Sequence, residues 1–242
     1  MGVRTTKSPH PSGNTVQADG HLLEYFRQNF GVGGGGAVAV PPSGMAATGG
    51  AVSDYVEPGP GNVYRAHIFT SSGTFSVTAI GDFGSNVEYL VVAGGGGGGG
   101  AADEGSYAAG GGGGAGGIKT NLSGHPLAGS ALPVSTTGGP NSDGNYPVTI
   151  GAGGVGGGLN GTGGRPGVQG GSSVFSTITS LGGGYGGAPY FLNPAPPITG
   201  GPGGSGGGAG TGPGGAARAG GTGTAGPPRQ GYDGGNTAYP AS

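Results

Sequence analysis

Gly151-Ala152-Gly153-Gly154-Val155-Gly156 follows a strand-like run and fits the spacing G-x-G-x-x-G, in which a glycine loop lets a helix N-terminus approach a pyrophosphate. That chemistry needs a helix directly after the loop and an acidic residue about 20 positions further on. Neither follows. Gly156-Gly157-Gly158-Leu159-Asn160-Gly161 cannot hold a helix, since each glycine costs about 1 kcal/mol relative to alanine. After Asp143 the next acid is Asp233. In a chain with 71 glycines among 242 residues such a spacing arises by chance.

The other groups able to do chemistry are scattered. His10, His21, His67 and His125 have no second histidine or carboxylate at ligand spacing, and read as surface or satisfied core residues. Asp103-Glu104 is an acidic pair between glycine tracts; it reads as a solvated loop, or else as a cation or sugar contact at a loop tip. Calcium β-roll repeats would need aspartates recurring among the glycines. No serine or threonine is marked as a nucleophile with a base beside it. Arg165, Arg218 and Arg229 are isolated and the net charge is −2, so the electrostatic footprint of a nucleic-acid binder is missing. The expectation is a protein that is not an enzyme and uses no metal and no cofactor. What remains is a set of aromatics among glycine and proline: Tyr107, Tyr185, Tyr190, Phe191, Tyr232 and Tyr239. They either seal a packed bundle or form a recognition surface, because tyrosine gives a large amphipathic contact at low entropic cost. Tyr107, Tyr185, Tyr190 and Phe191 are the candidate receptor contacts, with Tyr190-Phe191 foremost in the proline-bounded loop from Pro189 to Pro197.

The elements that must carry these residues are built from an unusual composition. Glycine and proline, 71 and 20 residues, make up more than a third of the chain, a level typical of fibrous or low-complexity proteins. Glycine comes in blocks such as Gly94 to Gly100 and Gly110 to Gly114 without the strict three-residue period of collagen. The low net charge and the clusters of Val, Ile, Tyr and Phe argue against general disorder. Ordering a backbone residue costs roughly 1–2 kcal/mol, and most for glycine. Glycine has no side chain to bury in return. Compensation must come from hydrogen bonds between closely approaching tracts, which predicts extended left-handed helices of the polyproline II type that satisfy one another. A valine at Gly97 or Gly112 is then expected to disrupt the bundle. Cysteine is absent, which excludes disulfides and thiolate metal sites. No apolar run follows the basic start, so no signal peptide is expected, and no stretch approaches a membrane span of about 20 apolar residues.

Residues 1–30 differ from the rest. An extended arm containing Pro9 and Pro11 leads to His21–Phe30, where Leu22, Phe26 and Phe30 share one helical face widened by Leu23. Asp19 is a fitting N-cap and Gly31 a fitting stop. This short helix either packs on its own β domain or, through Leu22, Leu23, Tyr25, Phe26 and Phe30, serves as a docking or oligomerisation helix. Residues 31–61 read as a Gly/Pro-rich linker or an irregular wrapping segment, residues 62–199 as a β base with glycine tracts, and residues 200–242 as a glycine/proline-rich C-terminal tract. In the base, strands are expected over 64–70, 74–79, 87–93, 118–122, 146–150 and 174–181. The 87–93 run is apolar on both faces, which suits a central strand. Three strands run directly into glycine at Gly94, Gly151 and Gly182. The expected fold is mainly β: a small sandwich-like base with projecting polyglycine II-type helices or loops, and a short N-terminal helix.

Tyr89-Leu90-Val91-Val92-Ala93 followed by Gly94 to Gly100 resembles the signature of the glycine-rich domain found in many phage tail-fibre and adhesin proteins. Val148-Thr149-Ile150-Gly151-Ala152-Gly153-Gly154 resembles that family's second strand-to-glycine element. The run from Ser8-Pro9-His10-Pro11 through Gly20-His21-Leu22-Leu23-Glu24-Tyr25-Phe26-Arg27 is similar to the starts of structural proteins of marine cyanophages related to T-even phages. The resemblance implies a virion protein assembled in the host cytoplasm, with an N-terminal attachment segment, a β base and a glycine-rich distal part. Distal adhesins of that kind place polyglycine-type helices in a layered sandwich with receptor-binding loops at the tips. The implied partners are other virion proteins, a host glycan or protein, and further copies of the chain, a trimer by analogy. A capsid head fibre or decoration protein would share this architecture. An ice- or surface-binding polyglycine protein is a third class, and would want a flat face of regularly spaced small residues. Such domains often end in a closing apolar strand, whereas this chain ends Tyr239-Pro240-Ala241-Ser242; either closure differs or the sequence is part of a longer one.

Overall fold

The computed structural model describes residues 43–56, 58, 62–101, 109–160, 163–189, 199–211 and 217–237. The expected N-terminal helix with Leu22, Leu23, Tyr25, Phe26 and Phe30 lies outside them. The described chain is mainly β, built from several antiparallel sheets, with no helix among the described residues.

Alternating apolar and hydroxyl residues give the base its main sheet. Strands β1 (Ala46–Thr48), β2 (Ala51–Val56), β3 (Val63–Ile68) and β4 (Gly73–Ala79) come first. They are followed by β5 (Asn86–Val87), β6 (Leu90–Val92), β7 (Ile118–Thr120), β8 (Leu132–Pro133) and β9 (Asn145–Thr149). The last four are β10 (Leu159–Asn160), β11 (Gly163–Gly164), β12 (Ser173–Phe175) and β13 (Ile178–Ser180). The five-stranded sheet has the order β1-β4-β9-β12-β13, and β2-β3, β5-β8, β6-β7 and β10-β11 form two-stranded pairs. Phe75 and Val77 of β4 and Tyr146 and Val148 of β9 point to one side, where Val134 joins them in the buried core. Phe75 meets Phe175 edge-on at 5.8 Å between ring centres.

Several expected strands are placed differently. The 87–93 run is not a central strand: it is divided between β5 and β6, and β6 pairs with β7 alone. Val91 is buried while Leu90 and Val92 are exposed, so the run alternates with period two and covers the core with one face. The 174–181 run is a hairpin, β12 and β13, turning at Ser176-Thr177 with Ser176 at φ 54°. Neither turn residue is the Gly, Asn or Asp that usually announces such a turn. Within the stretch read as a linker, β1 and β2 are formed; β1 pairs with β4 and β2 with β3.

Above this base, glycine-rich runs lie side by side in three layers, joined by backbone hydrogen bonds. The first layer holds 151–158, 94–100 and 109–117; the second holds 163–171, 182–189, 205–211 and 230–237; the third holds 200–204 and 217–224. Donors recur every third residue. Gly96 and Gly99 donate to Gly114 and Gly111, while Gly94, Gly97 and Gly100 donate to Gly171, Val168 and Arg165 at 2.8–3.0 Å. The carbonyls of Gly95 and Gly98 accept from Gly154 and Gly157. The runs that leave β6, β9 and β13 point the same way, as the bonds Gly154 to Gly95 and Gly183 to Gly94 advance in parallel. The 182–189 run is the hub. It bonds to 94–100, 109–117, 163–171, 200–204 and 205–211, and Gly182, Gly183, Gly184, Gly186, Gly187, Ala188 and Pro189 are buried.

Glycine is demanded here by space. None of the glycines with positive φ lies in these runs. A Cβ on Gly97 would instead fall inside the van der Waals radius of the Val155 carbonyl, and one on Gly184 would strike the Gly201 carbonyl. At Gly112 nothing lies within 4 Å of the Cβ position. The expectation that valine disrupts the bundle at both Gly97 and Gly112 therefore fails on steric grounds at Gly112, whose Cβ direction opens to solvent.

Candidate functional site

The runs have two ends with different characters. At the base end, strand hydrogen bonding with a two-residue period gives way to the three-residue period of the runs, leaving backbone amides out of step. Side-chain oxygens meet them. Ile150 donates to Ser72 Oγ (3.0 Å), Gly151 to Ser173 Oγ (3.0 Å), Leu181 to Gln230 Oε1 (2.9 Å) and Gly182 to Ser172 Oγ (3.3 Å). Ser173 and Gln230 are buried at 1% and 8% exposure, so these caps are internal fittings. Sequence reasoning missed them: Ser172 and Ser173 stand where a glycine run meets β12, while nothing beside Ser72 or Gln230 signals the role.

At the far end, the described runs stop at residues 101, 109, 160, 163, 189, 199, 211 and 217. The run ends there are pinned together. Gly100 donates to Arg165 (2.8 Å), Gly187 to Gly208 (2.9 Å) and Thr211 to Ala109 (2.9 Å). Ala109 donates in turn to Thr211 Oγ1 (2.8 Å), and Arg218 and Thr237 exchange a reciprocal pair at 3.0 Å. Ala188 and Pro189 are fully buried as the hub run reaches this end. The frame is fixed up to the residues from which the connecting segments depart.

The predicted site residues distribute unevenly. Tyr107, Tyr190 and Phe191 lie outside the described residues; their segments are bounded by the far-end positions just named. Tyr185 is half-buried midway along the hub run, where its ring would meet any Cβ on Gly201. It fills a gap beside the third layer. Tyr232, 68% exposed, carries Arg229 over its ring at 4.7 Å, at the base end. His67 Nδ1 donates a 2.7 Å hydrogen bond to the Gly49 carbonyl, and its ring stands edge-on to Phe75.

The glycine-rich domain family matches residues 70–242. The chain belongs to that family. No curated protein and no solved structure matches it. The match begins at the turn before β4 and takes in the main sheet except β1, together with every layered run, so the glycine-rich domain is the base and its bundle as one unit. The Tyr89 phenol is pushed up by burial and donates to the Ser130 carbonyl. Asp143 is held below the usual carboxylate range by hydrogen bonds from Asn145. No group of His, Asp or Glu that could hold a metal ion occurs among the described residues.

Proposed function

We propose that this glycine-rich domain is a non-enzymatic scaffold of a phage virion, a fibre or adhesin that presents its far-end segments to the host. The observation that carries the reading is that the described runs reaching residues 101, 109, 189, 211 and 217 end together at one end of a hydrogen-bonded frame, opposite the base sheet. Rigid scaffolds that carry variable segments are a general solution for recognition. Fixing the ends of each segment lowers the entropy lost on binding. In this reading the runs are polyglycine II-type helices: three residues per turn, no internal hydrogen bonds, and neighbours that supply every third donor. Tyr107, Tyr190 and Phe191 are the contacts, Tyr185 is a packing residue, and Leu22, Leu23, Tyr25, Phe26 and Phe30 attach the chain to the particle.

Immunogold labelling of intact virions with antibody against residues 62–242 tests this proposal. Gold at tail or fibre tips is expected, together with loss of adsorption when Tyr190 and Phe191 are both replaced by alanine. Gold over the capsid would move the protein to the head-fibre or decoration class, and absence from virions would sink both.

A second reading draws support from the first layer. Gly95, Gly98, Gly112, Gly153 and Gly156 have their Cβ directions open or meeting atoms only at 3.5 Å or more, and Ala109 and Ala115 are exposed. A face of small residues recurring every third position, about 9 Å along each run, suits an ordered surface such as ice. Thermal hysteresis of the purified chain distinguishes this reading, and its absence is the outcome expected of an adhesin.

A further inference from the structure

A cleft of about 550 Å³ lies in the base, within the roughly 300–1,000 Å³ range of small-molecule sites. It is lined by β8 and the loop after it, by Tyr146 of β9 and by the β12–β13 turn. The glycine-rich runs leave the sheet after β9 and β13, so the turn at which β13 begins is at the other end of the sheet from them.

Among the described residues that line the cleft, the Tyr146 phenol is the one titratable group. It is already engaged, accepting from the Ser135 amide at 2.8 Å and donating to the Ser135 carbonyl at 3.3 Å. Tyr146 and Val134, 3% and 2% exposed, close the floor, and Leu132, Pro133 and Pro140 add apolar surface. Around them stand four hydroxyl residues, Ser85, Ser135, Ser176 and Thr177. None of these four hydroxyls has a hydrogen-bond partner among the described residues.

Backbone conformation supplies an independent observation. Ser142 and Ser176 are the non-glycine residues with positive φ among the described residues, at 57° and 54°. Ser176 lines one wall of the cleft. Ser142 closes the loop whose Gly138, Gly139 and Pro140 line the other, its amide donating to the Gly139 carbonyl at 3.2 Å. Glycine takes up this conformation without steric cost, and serine does not. A chain with 71 glycines nonetheless places serine, and with it a hydroxyl, at the turn that borders the cleft. Strain of this kind concentrates at sites of binding.

We propose that this cleft binds a neutral saccharide. A hydroxyl both donates and accepts, so four hydroxyls without internal partners match the mixed donors and acceptors of a polyhydroxylated ring. A neutral lining exerts no pull on a phosphate, a uronic acid or an amine. The apolar floor and the two prolines suit the C–H faces of a sugar. No exposed aromatic ring is present in the described lining to stack on the ligand, so the binding is weak. The site belongs to the base and does not rest on the far-end reading.

Isotope-labelled full-length chain is titrated with the methyl glycosides of glucose, galactose, mannose and N-acetylglucosamine up to about 50 mM, well above a millimolar dissociation constant. The expected result is saturable movement of the Ser135, Gly138, Ser176 and Thr177 amide signals with at least one of them, no movement at Tyr55, and none at all with glucuronate. Ser176→Gly removes hydroxyl and strain together. It should weaken the binding several-fold while raising the thermal midpoint, whereas a serine with only a structural role would leave the affinity untouched. Thr177→Val, which keeps the shape of the side chain, should also weaken it. No movement with any of the four glycosides, equal movement with glucuronate, or unchanged affinity in Ser176→Gly overturns the proposal.

Discussion

Gly97 and Gly112 occupy similar sequence surroundings and opposite physical ones. The Cβ direction of Gly97 ends on the Val155 carbonyl, one of the backbone groups packed closest to the 94–100 run, whereas that of Gly112 is open. Alanine at Gly97 must push two hydrogen-bonded runs apart, an overpacking cost of about 1–3 kcal/mol. At Gly112 the same substitution restricts only the unfolded chain and should stabilise by about 0.4–1 kcal/mol. Thermal or denaturant unfolding of the two variants should give shifts of opposite sign. Equal destabilisation at both positions would mean that chain flexibility, not close approach, is what glycine supplies in these runs.

At the scale of elements, the vulnerable places are the joints. A strand satisfies its neighbours every second residue and a glycine-rich run every third, and at the β9 and β13 joints side-chain oxygens accept from the amides left over. Gln230 shows how this is solved over distance: its side chain accepts from Leu181 and its backbone carbonyl accepts from Ile118 at 3.1 Å. One residue of the C-terminal part thus ties β7 and the β13 junction together. Gln230→Leu preserves bulk but removes the acceptor of the part-buried Leu181 amide, at a cost of about 1–3 kcal/mol. Hydrogen exchange at Leu181 should accelerate more than at Phe75 in the base. Uniform acceleration at both would show that the joint does not open on its own.

For the whole molecule, the decisive feature is that the layered runs bond almost entirely to one another. Isolated, each would lose its partners and with them the compensation for ordering glycine. The hub run 182–189 depends on the C-terminal part, since Gly184 and Gly187 donate to Ser205 and Gly208. Truncation after residue 199 should therefore leave the Phe75–Tyr146 core folded while the 182–189 and 109–117 runs lose amide protection. Exchange mass spectrometry of the truncated chain measures this directly. Full protection of both runs would show that the runs before residue 199 stand without those that follow it.

The sequence by itself determined the composition-level argument: blocks of glycine too costly to order singly, apolar alternation in β3, β4 and β9, and strands that pass directly into glycine. Those are local signals, and local signals report period and propensity. It could not reveal that the Leu90–Val92 run sits at the side of the base, that Ser176-Thr177 is a turn, or that β1 and β2 form within a proline- and glycine-rich stretch. Each depends on which distant strand supplies the hydrogen bonds. Nor could it separate Gly97 from Gly112, or assign Ser72, Ser173 and Gln230 to the joints. A glycine has no side chain by which its neighbours can be read, so only the tertiary arrangement of the layers decides which glycines are indispensable and which face water.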